Sequence, residues 1–301
     1  MALLVGMACA AVGSTAAGDM VGTTARPDGS RVHWTLSNAV QDRANRIVFV
    51  AQGSGCAPAR ASLSVRMLAE ILSDYAVLTI EKYGVAPDYA PVDPMADCSR
   101  AYLENHTVSQ RVADARAVFE DLRARGLLDG DLVLFGGSEG GAVVSILSHQ
   151  AEEADAVVVF STGTGLTMAE FFPLVVPPPV AERMQAVFDE IRNDPSAQGV
   201  LSGVSYDWWR DSLDRRYSDD LLTSTVPVLI VQGANDRSAP VEAARAARDA
   251  FVAAGQEHRL TYWELSDRDH AMTDAEGVSH MAAVLKKVRD WIEAQMPPDA
   301  G

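Results

Sequence analysis

The sequence predicts an α/β protein in which helices cover both faces of a mostly parallel sheet. Short, continuous apolar runs, such as residues 47–50 and 132–135, are typical of strands that are buried on both faces. These runs alternate with segments whose apolar residues recur at helical intervals, as in residues 61–72. Such alternation is typical of βαβ units, and it predicts parallel strands that are connected through helices.

The alternation can be followed along the chain element by element. The predicted strands lie at residues 31–34, 46–50, 76–80, 132–135, 156–160, 226–231 and 260–265. The predicted helices lie at residues 61–72, 108–122, 140–149, 181–191, 241–254 and 278–295. Residues 162–225 break this rhythm with a proline cluster and an aromatic patch, and we interpret them as a small cap insertion. Residues 18–301 are therefore predicted to form one domain that carries a cap.

Composition limits the possible partners. The 301 residues are 48% hydrophobic, so the chain can bury a substantial core. Acidic residues outnumber basic ones 41 to 25, and the net charge of -16 repels phosphate backbones, which argues against a nucleic-acid partner. No apolar run after the first residues has the length of a membrane span, so we expect no stable membrane insertion. No CxxC motif and no histidine pair at ligand spacing occurs, so we expect no metal.

Residues 1–17 resemble a secretory signal peptide. They contain no charged side chain and pass from an apolar run into small residues, although the usual positive start is missing. We therefore expect export to the periplasm or the outside; an uncleaved leader on a cytoplasmic protein is the alternative. Cys9 lies in this segment, and its lipidation stays open. Removal of the segment leaves Cys56 and Cys98, an even pair that predicts a disulfide in an oxidising compartment, with two unrelated buried thiols as the alternative.

A glycine-rich turn follows the strand at 132–135. Its sequence, Gly-Gly-Ser-Glu-Gly-Gly at residues 136–141, contains the G-x-S-x-G pattern of a nucleophile elbow, and a helix of small residues follows it. The glycines allow strand and helix to approach closely while Ser138 is held in a strained turn at the helix N-terminus. A dinucleotide-binding loop needs glycine at position 138, and a P-loop needs a following lysine, so both alternatives are weaker than a nucleophilic serine.

A serine nucleophile requires a base and an acid that orients the base. His270 lies in the loop after the last predicted strand, where it can act as the base. Asp236 follows the preceding strand, in a loop where its carboxylate can fix the imidazole tautomer. Asp267 and Asp269 are rival acids near the histidine. The order of Ser138, Asp236 and His270 along the chain is the order that serine hydrolases with a nucleophile elbow use.

The chain resembles the α/β-hydrolase superfamily over residues 18–301, in particular the branch near dienelactone hydrolases and prolyl-oligopeptidase-like esterases. The resemblance is carried by the nucleophile elbow at Ser138 and by the loops that contain Asp236 and His270, each of which follows a predicted strand. The resemblance implies an α/β-hydrolase fold and hydrolysis of a small-molecule carboxylic ester through an acyl-Ser138 intermediate, without metal or organic cofactor. Dienelactone hydrolases use cysteine as nucleophile, so Ser138 argues against that activity. A peptidase, a thioesterase and a catalytically silent binding protein of the same fold are the alternatives.

The resemblance also implies an oxyanion hole, which stabilises the negative oxygen of the transition state. One donor is the backbone N–H of Glu139. The second donor comes from the loop after the strand at 46–50, where relatives often carry His-Gly and this chain has Gln52 and Gly53. Ser54 is the first candidate for this donor, and Gly55 is the next.

Other residues have weaker claims to the site. Trp208 and Trp209 are candidates for the substrate pocket, although packing within the cap explains them equally well. Glu81 and Lys82 close a predicted strand near the site; a Ser-Lys pair is the alternative there, but a complete triad makes it unnecessary, and we expect an ordinary salt bridge. His106, at the start of a helix, has only a capping role to support it.

Overall fold

The computed structural model describes residues 18–39, 46–151 and 153–296. The predicted signal segment, with Cys9, lies outside the described residues. The strands are β1 (Gly18–Ala25), β2 (Arg31–Ala39), β3 (Arg46–Ala51), β4 (Ala76–Ile80), β5 (Asp131–Gly137), β6 (Ala154–Phe160), β7 (Val200–Leu201), β8 (Val204–Ser205), β9 (Val228–Gly233) and β10 (Leu260–Leu265). The helices are α1 (Leu63–Ile71), α2 (Arg100–Asn105), α3 (Val108–Ala124), α4 (Glu139–Gln150), α5 (Met168–Val175), α6 (Pro178–Asn193), α7 (Tyr206–Ser212), α8 (Tyr217–Thr223), α9 (Val241–Ala253) and α10 (Met281–Gln295).

Eight strands form one sheet in the order β1-β2-β4-β3-β5-β6-β9-β10. The six strands that are adjacent in the order β4-β3-β5-β6-β9-β10 pair in parallel. Strand β2 pairs antiparallel with both β1 and β4. The predicted α/β class with a mostly parallel sheet is therefore confirmed. The sequence pattern did not predict β1, because this edge strand is half exposed and lacks a continuous apolar run.

Helices cover both faces of the sheet. Alternate residues of β3 show how: Ile47 and Phe49 belong to the core beneath α3, α4 and α9, whereas Val48 and Val50 belong to the core beneath α1 and α10. Because both faces of the central strands are buried, their sequences are apolar throughout. The carboxyl ends of the parallel strands meet at one edge of the sheet, which is where ligands bind in open α/β sheets.

The segment between β6 and β9 contains α5 to α8 and the short β7–β8 pair. Most of its buried apolar side chains belong to the same cluster as those of α3 and α4, so the segment packs on the helices of one face; Phe171 of α5 packs instead with Ala239 and Ala243. Within the ranges given above, no helix is both long enough and apolar enough to cross a lipid bilayer.

The predicted disulfide between Cys56 and Cys98 is present in the structure. It joins the loop that follows β3 to the long loop between β4 and α2. Cys56 is buried there and packs against Val85 and Tyr102. The two loops on this side of the sheet are therefore covalently tied to one another.

Candidate active site

Ser138 occupies a strained turn between β5 and α4. Its backbone has φ +52° and ψ -125°, a conformation that costs free energy for any residue with a side chain. The Ser138 N–H donates to the carbonyl of Phe160 at 2.9 Å, and the Ser138 carbonyl accepts from the Gly141 N–H and the Thr162 hydroxyl, each at 2.9 Å. These three hydrogen bonds hold the turn in its strained form.

Close packing explains the glycines on either side of the turn. A Cβ atom on Gly136 would lie 2.2 Å from the carbonyl oxygen of Gly140, and a Cβ atom on Gly140 would lie 1.9 Å from that of Ala51. Strand β5, helix α4 and the end of β3 are therefore too close together for side chains at these positions. The sequence-based interpretation of these glycines gives the same physical reason.

Asp236 and His270 form a hydrogen-bonded pair. His270 Nδ1 lies 2.8 Å from Asp236 Oδ2, and the carboxylate is completely buried. Asp236 Oδ1 accepts from the backbone N–H groups of Ser238 and Ala239, each at 2.8 Å, and Oδ2 also accepts from Gln232 Nε2 at 3.0 Å. Because the carboxylate is fixed by these donors, it can hold the imidazole in one orientation.

The two rival carboxylates have other partners. Asp269 Oδ1 accepts from the backbone N–H groups of Ala271 and Thr273, so Asp269 shapes the histidine loop. Asp267 is exposed and pairs with Arg268. In the described part of the chain, neither carboxylate is bonded to the His270 imidazole.

Ser138 and His270 line one pocket of about 470 Å³ at the carboxyl edge of the sheet. Its walls come from α1, from the start of α10 and from the loop after β3. The apolar side chains among its lining residues are Val50, Ala51, Leu63, Val65, Met67, Leu68, Phe135, Phe160, Ala271, Met281 and Leu285. Within the described ranges, no hydrogen bond joins the Ser138 hydroxyl to His270. Such bonds often tighten only when substrate is bound, so a shared pocket is the relevant observation.

The loop after β3 runs alongside Ser138. A Cβ atom on Gly53 would lie 3.2 Å from Ser138 Cβ, and Gln52 and Gly53 line the pocket. Ser54 and Gly55 are not among the lining residues, and Gly55 packs with a positive φ of +86° beneath the loop at Pro94. In the described part of the chain, the N–H groups of Gly53 and Ser54 donate to no other protein group.

The two tryptophans lie elsewhere than predicted. Trp208 and Trp209 are only 5% and 1% exposed and are not among the residues that line the pocket. The Trp209 ring packs against Phe172 and Phe188, with centroids 4.8 and 5.1 Å apart, and its Nε1 donates to the Leu201 carbonyl. The expectation that they line the substrate pocket is corrected, because these rings fill the apolar interior between α5, α6 and α7.

A buried charge cluster lies behind Ser138. The carboxylate oxygen Oε1 of Glu139 accepts from Arg111 Nη1 at 2.7 Å and lies 3.1 Å from His106 Nε2. Burial alone would raise the pKa of Glu139, but His106, Lys82 and Arg111 together hold it well below its ordinary value. Burial lowers the pKa of His106. His106 therefore belongs to a buried charge cluster, whereas the sequence indicated only a capping role at the start of a helix.

Glu81 and Lys82 do not pair with each other. The Lys82 side chain is buried, and its Nζ donates to the carbonyls of Gly53 and Gly55. Glu81 accepts from the Ala59 N–H with both carboxylate oxygens. Burial lowers the pKa of Lys82 to about 7 and raises the pKa of Glu81 to about 7. The expected salt bridge is absent from the described residues because consecutive residues of an extended chain point to opposite sides.

Sequence reasoning missed Arg111, although one signal was available. Arg111 lies on the buried stripe of α3, three residues after Val108 and four before Ala115, where an apolar residue is normal. A charged residue in such a position is buried only when a partner meets it. Its partner, Glu139, is distant in sequence, so no local sequence pattern predicts the contact between them.

Similar structures identify the fold. No protein-family model and no curated protein matches the sequence. Among solved structures, an esterase domain from Rhodothermus marinus matches with a TM-score of 0.58 and 20% identity, covering 92% of this chain and 98% of that one. Est1E from Butyrivibrio proteoclasticus, with ferulic acid bound, matches with a TM-score of 0.63 and 18% identity, covering 92% and 100%. A puromycin-hydrolyzing peptidase from Mycobacterium tuberculosis matches with a TM-score of 0.60 and 16% identity, covering 90% and 38%.

These likenesses and the strand order together establish the class. The chain has the α/β-hydrolase fold. The resemblance that the sequence indicated is therefore confirmed at the level of the fold.

Proposed function

We propose that this protein is a serine hydrolase that cleaves carboxylic esters through an acyl-Ser138 intermediate. The observation that carries the proposal is the hydrogen bond between His270 Nδ1 and Asp236, because His270 shares a pocket with Ser138. Three loops that follow β5, β9 and β10 bring these residues to one edge of the sheet. A strained serine, a histidine and a buried carboxylate in this arrangement are the parts of a catalytic triad.

Each residue has a defined role in the proposed reaction. Asp236 accepts a hydrogen bond from the Nδ1–H of His270 and so holds the proton on Nδ1, which leaves Nε2 free to take the proton from the Ser138 hydroxyl. The serine oxygen attacks the ester carbonyl, and the resulting oxyanion is stabilised by the Glu139 N–H and by an N–H of the loop after β3. The imidazolium then protonates the leaving alcohol. Water, activated by the same histidine, attacks the acyl-enzyme and releases the acid.

The pocket favours an ester with an apolar group next to the carbonyl. Its walls are mostly aliphatic side chains of α1 and α10, and such a surface gains free energy by removing apolar substrate surface from water. One of the similar structures is named as an esterase domain, and another, Est1E, is named with ferulic acid, a carboxylic acid, bound to it. Both names support an ester over the peptide bond that the name of the third structure suggests.

Labelling combined with a substrate panel tests the proposal. We expect the wild-type protein to react with a fluorophosphonate and to hydrolyse nitrophenyl esters faster than acyl thioesters or peptide amides. The Ser138→Ala variant should lose both labelling and turnover, a loss of at least ~10⁴-fold in kcat. Ser73→Ala, on the exposed surface after α1, is the matched control and should keep both.

The outcomes separate the alternatives. Faster cleavage of thioesters or amides than of esters would replace the proposed substrate class by one of those two. Labelling or turnover that persists in Ser138→Ala would refute the assignment of the nucleophile. A wild-type protein that is neither labelled nor active would support a binding protein of the same fold.

A further inference from the structure

The loop after β3 is held from behind by two buried cations. Arg111 Nη2 donates to the Gln52 carbonyl at 2.7 Å. The Lys82 ammonium donates to the carbonyls of Gly53 and Gly55. Three of the four carbonyl groups of residues 52–55 are therefore bound to side chains that are themselves almost fully buried, with 3% exposure for Lys82 and 8% for Arg111.

These contacts also determine where the N–H groups of the loop point. In a planar trans peptide, the C=O of one residue and the N–H of the next point in opposite directions. Because the carbonyls of Gln52 and Gly53 point to the buried cations, the N–H groups of Gly53 and Ser54 point away from them. In the described part of the chain, neither N–H donates to another protein group, and Gly53 lies against Ser138.

Arg111 also connects the two sides of the expected oxyanion hole. Its Nη2 binds the Gln52 carbonyl, and its Nη1 binds Oε1 of Glu139 at 2.7 Å. Glu139 contributes the other expected donor through its backbone N–H, as the first residue of α4. One planar guanidinium therefore fixes the spacing between the loop after β3 and the start of α4.

We propose that Lys82 and Arg111 are positioning residues that orient the oxyanion-binding N–H groups of residues 52–55, in support of the ester hydrolysis proposed above. Neither side chain is among those that line the pocket, so each acts through the backbone that it holds. A purely structural role would lower the stability of the protein and leave the transition state untouched. The two roles predict different kinetics.

The experiment compares Lys82→Met and Arg111→Met with a matched control, Arg26→Met. Arg26 is also buried and forms two hydrogen bonds with Asp114 of α3, at 2.7 and 2.8 Å, and in the described part of the chain none of its hydrogen bonds goes to residues 52–55. The measurements are kcat and KM for the best nitrophenyl ester and the affinity for a trifluoromethyl ketone. Ser138 adds to this ketone while its proton passes to His270, so the adduct carries the oxyanion of the transition state.

We expect kcat to fall by about 10²- to 10³-fold in Lys82→Met and Arg111→Met, the size of the loss when an oxyanion donor is removed. KM should change by less than about threefold, and the affinity for the trifluoromethyl ketone should fall by the same factor as kcat. Arg26→Met should lower the unfolding temperature and keep kcat. Folded Lys82→Met and Arg111→Met variants with wild-type kcat, or with a lower kcat and unchanged ketone affinity, would overturn the proposal.

The Arg111→Lys variant tests the proposed positioning role even if the methionine variants do not fold. Lysine keeps the charge but cannot reach both Gln52 and Glu139 with the geometry of a fork, so we expect kcat about tenfold below wild type with KM retained. Wild-type kcat in Arg111→Lys would refute the proposal. The outcome for the wild-type protein is separate: if it hydrolyses no ester and takes no fluorophosphonate label, the proposed function has failed, whatever the variants do.

Discussion

Asp236→Asn should remove most of the activity while the fold stays intact. Asp236 Oδ1 accepts two backbone N–H groups, from Ser238 and Ala239, so the amide oxygen of an asparagine will occupy that position. The amide nitrogen then replaces Oδ2, which lies 2.8 Å from His270 Nδ1. A carboxylate that accepts a hydrogen bond from the imidazole Nδ1–H is thereby replaced by an amide that donates a hydrogen bond to Nδ1.

The expected loss follows from the tautomer. When the amide donates to Nδ1, the imidazole proton moves to Nε2, and Nε2 can no longer accept the proton of the Ser138 hydroxyl. The same substitution in a Ser-His-Asp protease triad lowers kcat by about 10⁴-fold, or about 5 kcal/mol of transition-state stabilisation, and we expect a loss of this size here. Since the substitution does not change the pocket walls, we expect KM to stay close to the wild-type value.

Steady-state hydrolysis of the best nitrophenyl ester and the rate of fluorophosphonate labelling measure this loss. Asp267→Asn is the matched control, because Asp267 lies in the same loop as His270, is exposed and pairs only with Arg268 among the described residues. A kcat for Asp236→Asn within about tenfold of wild type, or an equal loss in Asp267→Asn, would refute the assigned roles.

Two further predictions concern stability. Replacing Cys56 and Cys98 together by serine should lower the free energy of unfolding by about 4 kcal/mol, because the disulfide closes a loop whose ends are 42 residues apart and so lowers the entropy of the unfolded chain. Urea unfolding measures this loss, and an unchanged midpoint would contradict the prediction. Burial raises the pKa of Glu81 in the folded protein to about 7, above its ordinary value of 4.5. The protonated carboxyl therefore contributes fully to the stability of the folded protein below pH 4.5, and this contribution is lost as the pH rises through the folded-state pKa of about 7. The unfolding free energy of wild type relative to Glu81→Gln should therefore fall by roughly 3 kcal/mol across this window, and a flat difference in urea titrations would show the reasoning to be wrong.

The sheet could be predicted from the sequence because its central strands are buried on both faces. Runs such as 47–50 and 132–135 must be apolar throughout, and this requirement is local. Strand β1 and the β7–β8 pair were missed because they are short or half exposed and carry no such run. The pocket role of Trp208 and Trp209 was wrong for a related reason: large aromatic side chains predict burial, but only the folded structure shows which residues they pack against.

Some residues of the candidate site could be predicted from local sequence patterns, and others could not. Ser138, Asp236 and His270 were selected from turn chemistry and chain order, which are local, and the structure places them at one edge of the sheet. Their catalytic roles stay a prediction. Lys82 and Arg111 come from different elements and meet the loop after β3 only in the folded protein, so no sequence pattern gives their contacts.

Two helices distant in sequence, α1 and α10, form much of the wall of the pocket, whereas most of the aromatic side chains of residues 162–225 belong to the apolar cluster on the other face of the sheet. Met281 and Leu285 lie on the pocket side of the last helix, away from the aromatic interior of residues 162–225. Under the proposed function, we therefore expect exchanges of these two side chains to change the length of substrate that the pocket accepts without repacking the tryptophans.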